Sequence, residues 1–77
     1  MENLNKKIGE AIELERKIKR KTRKDLGKEI GVCYQQIQNY ETGSQNIHIV
    51  RLFEISKALG VSILKLLPSE LIGNKKY

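Results

Sequence analysis

Apolar positions along this chain recur at helical spacing in five blocks. Leu4, Ile8, Ala11 or Ile12, and Ile18 share a face of a first helix over about 4–19, with Leu14 off to one flank. Gly9 interrupts that face at a cost of about 1 kcal/mol relative to Ala, which marks a close packing contact. Thr22 is placed to cap a second helix, with Asp25 three residues on as its acidic partner. Leu26 and Ile30 form that helix's apolar stripe. Gly27 falls on the same side, where the missing Cβ admits another backbone. Gly31 follows the last turn, where a left-handed residue commonly ends a helix. Val32 is apolar in the turn, and Cys33 falls where a third helix is capped. Ile37 and Tyr40 carry the apolar face of that helix, and Gly43 closes it.

Residues 42–47, TGSQNI, form a polar loop, and His48 stands at the start of the fourth helix. Ile49, Leu52, Phe53, Ile55 and Leu59 oppose Arg51, Glu54 and Lys57 along that helix, which Gly60 stops. Ser62 caps a short fifth helix, Ile63 to Leu67, ended by Pro68. Its sequence is apolar nearly all round. A small domain buries only part of it, so Ile63, Leu64 and Leu67, with Leu71 and Ile72, are available to a partner subunit. The predicted fold is all-α, a compact five-helix domain over 4–68, followed by a tail over 69–77 whose GNKKY end frays.

At 77 residues the chain holds one domain with a modest core. Apolar residues at 39%, aromatics at 5% and no Trp make that core aliphatic. The net charge of +6 points to a polyanionic partner. No apolar run approaches the roughly 18 residues of a membrane span, and the N-terminus lacks an apolar signal core. The single Cys forms no internal disulfide, which fits the cytoplasm. His48 has no Cys, Asp or Glu at ligand spacing, so no metal is expected. There is no paired carboxylate, no nucleophile with a base, and no phosphate loop. An enzyme is excluded on those grounds, and no cofactor is implied.

The chemistry lies on the outer face of the third helix. Tyr34, Gln35, Gln36, Gln38 and Asn39 make a row of amides with almost no charge, where a merely solvated helix carries Lys and Glu. Gln and Asn offer a donor beside an acceptor, which complements the N6/N7 edge of adenine in the DNA major groove. Two short helices joined by a glycine turn form the helix-turn-helix, whose second helix enters that groove. Ahead of it run Arg16, Lys17, Lys19, Arg20, Lys21, Arg23 and Lys24, more cations than a helix C-terminus needs. Lys19, Lys21, Thr22 and Arg23 are expected on phosphates, as are Gln38, Ser44, Gln45 and Asn46 from the far side.

With these pieces the chain resembles the lambda-repressor-like, Cro/phage-repressor (xenobiotic-response-element type) helix-turn-helix family of bacterial and phage regulators. The resemblance spans about residues 8–67. It rests on IG..I.L.R from Ile8 to Arg16, LG..IGV from Leu26 to Val32, QQIQNYE.G from Gln35 to Gly43, and RL.EISKALGVS from Arg51 to Ser62. It implies a five-helix fold with helices two and three as the reading unit. Tyr34, Gln35, Gln36 and Asn39 match its base-reading and nearby backbone positions. Arg23 matches a phosphate-touching position that is usually Gln, and Arg16 and Glu41 match an inter-helix ion pair. Lys21 replaces the usual Leu, which implies a looser or more solvated join between helices one and two. Cys33 replaces a Ser or Thr cap, and Ile47 the Pro that often begins helix four.

The expected function is a sequence-specific DNA-binding regulator, most simply a repressor, reading a palindromic operator as a homodimer. With one domain's worth of chain, any signal enters through dimerisation, a partner protein, or turnover. An antitoxin that binds its own promoter and a toxin partner is the alternative within the same family. A protein-interaction module without DNA is a third, disfavoured by the amide row together with the basic run.

Overall fold

The computed structural model describes residues 3–71; Ile72 and the GNKKY end of the tail, both assigned roles above, lie outside the described residues. Four α-helices make the framework: α1 (Leu4–Ile18), α2 (Arg23–Ile30), α3 (Tyr34–Thr42) and α4 (Ile49–Leu59). The caps follow the local chemistry. Asn3 Oδ1 accepts from the Lys6 N–H at 3.1 Å. Thr22 and Asp25 exchange side-chain and backbone bonds at 2.9 and 3.0 Å, a complete capping box. Gly31 ends α2 in the left-handed region at φ 81°, and the His48 ring accepts from the Val50 N–H at the start of α4. Cys33 has the extended backbone of a cap, but its thiol makes no capping bond.

The five-helix expectation is corrected. Only Ile63–Leu66 lies between the Ser62 cap and Leu67, and Pro68 forces Leu67 into extended backbone with ψ 138°. That leaves room for one tight turn. Its bonds run three residues back, from Lys65 N–H to Ser62 O at 2.9 Å and from Leu67 N–H to Leu64 O at 3.3 Å, which makes it a 3-10 helix. A second 3-10 turn covers Ser69–Leu71.

Ile8, Ile12, Leu26, Ile37, Tyr40, Leu52, Ile55, Leu59 and Leu66 form the core. Each such side chain contributes about 1.5–3 kcal/mol by leaving water. α3 lies at the centre, packed on α1 and α2. Two glycines permit this. A Cβ on Gly9 would come 2.3 Å from the carbonyl oxygens of both Tyr40 and Glu41, and one on Gly27 would come 2.4 Å from Val32 O. Ile18, Ile49 and Phe53, expected on buried faces, are 59%, 59% and 51% exposed. Ile18 is the last residue of α1, past the final buried side chain, Arg16. The buried stripe of α4 is Leu52, Ile55, Ser56 and Leu59, which leaves Ile49 and Phe53 to the flank. There the Lys57 ammonium lies 5.6 Å from the centre of the Phe53 ring.

The join between α1 and α2 is not loose. The last four carbonyls of α4 need partners, and backbone supplies only half of them. Gly60 and Val61 N–H groups donate to Lys57 O at 3.1 Å and Ser56 O at 3.0 Å. Lys21 Nζ donates to Ala58 O at 2.7 Å and Lys19 Nζ to Leu59 O at 2.9 Å. Lys21 also meets Glu29 at 2.8 Å, while its own carbonyl accepts from Arg16 Nη1 at 2.7 Å. A lysine where an apolar residue was expected thus clamps the corner to the end of α4.

Candidate nucleic-acid interface

α3 shows its amide face outward because its other face is taken by Ile37, Tyr40 and Glu41. Tyr34 is 56% exposed and Gln35 is exposed, while Gln36, Gln38 and Asn39 are half-buried. Gln36 Nε2 donates to the Tyr40 hydroxyl at 2.9 Å. Asn39 Nδ2 donates to Gln45 Oε1 at 3.2 Å. The loop after α3 folds back over Asn39, whose carbonyl accepts from the Ser44 N–H at 3.1 Å and from the Thr42 and Ser44 hydroxyls at 3.3 Å. Asn46 is tied to Asn5 of α1 by a side-chain hydrogen bond. The loop residues assigned to phosphate therefore sit beside the α3 amides, held from both ends.

A shallow basic groove lies at the other edge, between the end of α1, the start of α2 and Tyr34, lined by Arg16, Lys17, Arg20, Lys21, Thr22, Arg23 and Lys24. Its cations are not equivalent. Arg16 is buried, with Nε 2.6 Å and Nη2 3.2 Å from the Glu41 carboxylate, whose side chain is 1% exposed. Arg23 Nε reaches the same carboxylate at 2.9 Å, and its Nη2 lies 3.9 Å from Glu13. Lys17 meets Glu13 at 3.1 Å. That hydrogen bond, helped by the charges of Lys17, Arg23 and Arg16 and opposed by slight burial, holds the Glu13 carboxyl below its ordinary range. Lys19 and Lys21 are committed to the α4 carbonyls. Arg20 and Lys24 are exposed, and their side chains make no hydrogen bond or ion pair with the rest of the described residues. The sequence placed both in the basic run as a whole but did not set them apart from Lys19 and Lys21, because nothing in it distinguishes a free cation from one that caps a helix.

Of the residues assigned to a partner subunit, Leu64 is 57% and Leu71 48% exposed, and Ile63 and Leu67 are half-buried. Ile49, Val50 and Phe53 of α4 add exposed apolar surface that the sequence had assigned to the core or left unassigned. Among the described residues there is no group of His, Cys, Asp and Glu fit to hold a metal, and no helix is long and apolar enough to cross a membrane.

Two short helices set by a left-handed glycine, an amide face on the second and a basic groove at the entrance of the first define a helix-turn-helix DNA-binding unit. A family model described as helix-turn-helix matches residues 12–66. A transcriptional regulator in the ATPase CF(0) region of Rhodospirillum rubrum is 53% identical over 38 residues, covering 49% of this chain and 35% of that protein. The HTH-type transcriptional regulator y4wC of Sinorhizobium fredii is 41% identical over 54 residues, covering 70% of this chain and 38% of that protein. The chain thus spans well under half the length of these relatives. The fold is shared with the restriction-modification controller protein C.AhdI of Aeromonas hydrophila, at a TM-score of 0.79 and 21% identity, covering 82% of this chain and 91% of that one. It is shared equally with the hypothetical transcription factor NHTF from Neisseria, at 0.79 and 23%, covering 94% and 85%. The chain belongs to the Cro-type (xenobiotic-response-element) helix-turn-helix family of DNA-binding transcriptional regulators.

Proposed function

We propose that this chain is a cytoplasmic repressor that binds a palindromic operator as a homodimer, with α3 in the major groove. The carrying observation is the exposed amide face of α3 flanked by cations on one side and hydroxyl and amide loop residues on the other. In this reading Tyr34, Gln35, Gln36 and Asn39 meet base edges, and Thr22, Arg23, Gln38, Ser44, Gln45 and Asn46 meet the backbone. Because Lys19 and Lys21 are engaged by α4, the salt-dependent contacts fall chiefly on Arg20 and Lys24. One short helix covers few base pairs, so two copies about 34 Å apart are needed for a selective site. Ile63, Leu64, Leu67 and Leu71 supply the apolar surface for that pairing.

The test is selection of bound sequences from a random duplex pool, with size exclusion of the protein alone and on the selected site. A two-fold symmetric sequence and a two-to-one complex are expected. Gln35→Ala should lower affinity by about 1–3 kcal/mol and relax preference at one or two base pairs. If Gln35→Ala and Gln36→Ala both remain folded and bind as wild type does, α3 is not the reader.

A further inference from the structure

We propose that Tyr40 is a positioning residue for specificity, acting through Gln36. This deepens the DNA-reading assignment above and rests on it. Tyr40 lies four residues after Gln36, so the two side chains are neighbours on α3. The Tyr40 ring belongs to the core and is 7% exposed, which leaves its hydroxyl little freedom to move. Gln36 Nε2 donates to that hydroxyl at 2.9 Å. A primary amide carries two N–H groups and one carbonyl. With one N–H spent on Tyr40, the other remains beside Oε1, the donor–acceptor pair that complements adenine N7 and N6.

An unrestrained glutamine presents that edge in a fraction of its orientations and loses rotamer freedom on binding. The Tyr40 hydroxyl removes that loss beforehand. Gln35 is exposed and has no such partner among the described residues, so the two adjacent glutamines differ in kind. Tyr40 touches no base in this scheme. It decides which base Gln36 accepts.

The experiment compares sequences selected from a random duplex pool by wild type, Tyr40→Phe, Gln36→Ala and the double variant. The base pair faced by Gln36 is the one whose preference Gln36→Ala abolishes. Wild type should select adenine there. Tyr40→Phe keeps the ring in the core and should reduce that preference by about 3- to 10-fold, with other positions and the salt dependence unchanged. In the Gln36→Ala background, Tyr40→Phe should have no further effect. Unchanged adenine preference in folded Tyr40→Phe, or an equal loss of affinity for the selected site with and without Gln36, overturns the positioning role alone. Absence of any selected sequence with wild type overturns the DNA-reading assignment and this inference with it. A measurement on the unaltered protein covers the case in which Tyr40→Phe does not fold. The side-chain amide of Gln36 should be more ordered by nitrogen relaxation than that of Gln35, and equal order overturns the proposal.

Discussion

Replacing Glu41 by Leu should cost more than replacing either arginine that holds it. The Glu41 carboxylate is almost fully buried and accepts from Arg16 Nε at 2.6 Å, Arg16 Nη2 at 3.2 Å and Arg23 Nε at 2.9 Å. Removing it leaves the Arg16 guanidinium in the interior with the Lys21 carbonyl, at 2.7 Å, as its remaining hydrogen-bond partner. Stranding a buried charge in this way costs about 3–5 kcal/mol. Arg16→Met is milder, because Glu41 keeps Arg23; losing the hydrogen bonds to a charged group predicts roughly 2–3 kcal/mol. Arg23→Met leaves the two-point Arg16 contact intact, and the Arg23 side chain is one-third exposed, so about 1 kcal/mol or less is expected. A domain of this length has a total stability of roughly 4–12 kcal/mol, so Glu41→Leu should lower the melting temperature by roughly 15–30 °C and bring the protein near its limit. Arg16→Met/Glu41→Leu removes both buried charges and should be more stable than the sum of the singles by more than about 1 kcal/mol. Urea and thermal unfolding of the four variants give these numbers. Strictly additive losses, or Arg23→Met as costly as Glu41→Leu, would refute the account.

Gly9→Ala should destabilise by about 3 kcal/mol or more, despite the better helix propensity of Ala, because the new methyl meets two α3 carbonyls at 2.3 Å; a melting temperature at or above wild type would contradict this. Asp25 is held below its ordinary 3.8 by the Thr22 backbone N–H first and the Thr22 side chain second. A depressed carboxyl stabilises the fold above its unfolded value and ceases to do so as pH falls through the folded one. The advantage of wild type over Asp25→Asn should therefore be constant from neutral pH to about 4 and vanish below, in melts taken across that range; a pH-independent difference would remove Asp25 from the cap. Arg20→Gln and Lys24→Gln should each flatten log affinity against log salt by about 0.9, whereas Lys19→Met and Lys21→Met should chiefly lower the melting temperature. The opposite pattern would move the phosphate contacts back to Lys19 and Lys21.

What the sequence disclosed was chiefly local. Thr22 with Asp25, Gly31, Gly43, Gly60 and Ser62 mark their helix ends because a cap depends on residues within one turn of it. The core positions Ile8, Ile12, Leu26, Ile37 and Leu52 follow from spacing, since each faces the same way as its neighbours three and four residues off. The amide row was legible because such a composition is odd for a solvated helix. Facts that depend on distant partners were not. Lys19 and Lys21 lie about 40 residues from the carbonyls they cap, and no pattern in the basic run separates them from Arg20 and Lys24. Ile49 and Phe53 have helical spacing like that of buried residues, and only the angle at which α4 crosses its neighbours decides which stripe goes inward. The fifth helix failed for a simpler reason: Pro68 fixes Leu67 in extended backbone and leaves a single short turn, which closes with three-residue bonds.

Arg20 carries the corner between α1 and α2 in the left-handed region, at φ 58°, the one described residue other than glycine to do so. For a side chain with a Cβ that conformation costs about 1 kcal/mol relative to glycine, and asparagine tolerates it better than arginine. Engineering for heat resistance would therefore replace Arg20 by Asn, while engineering for tight binding would keep its guanidinium beside Lys24. The corner sets a trade between endurance and affinity, and no single residue at position 20 maximises both.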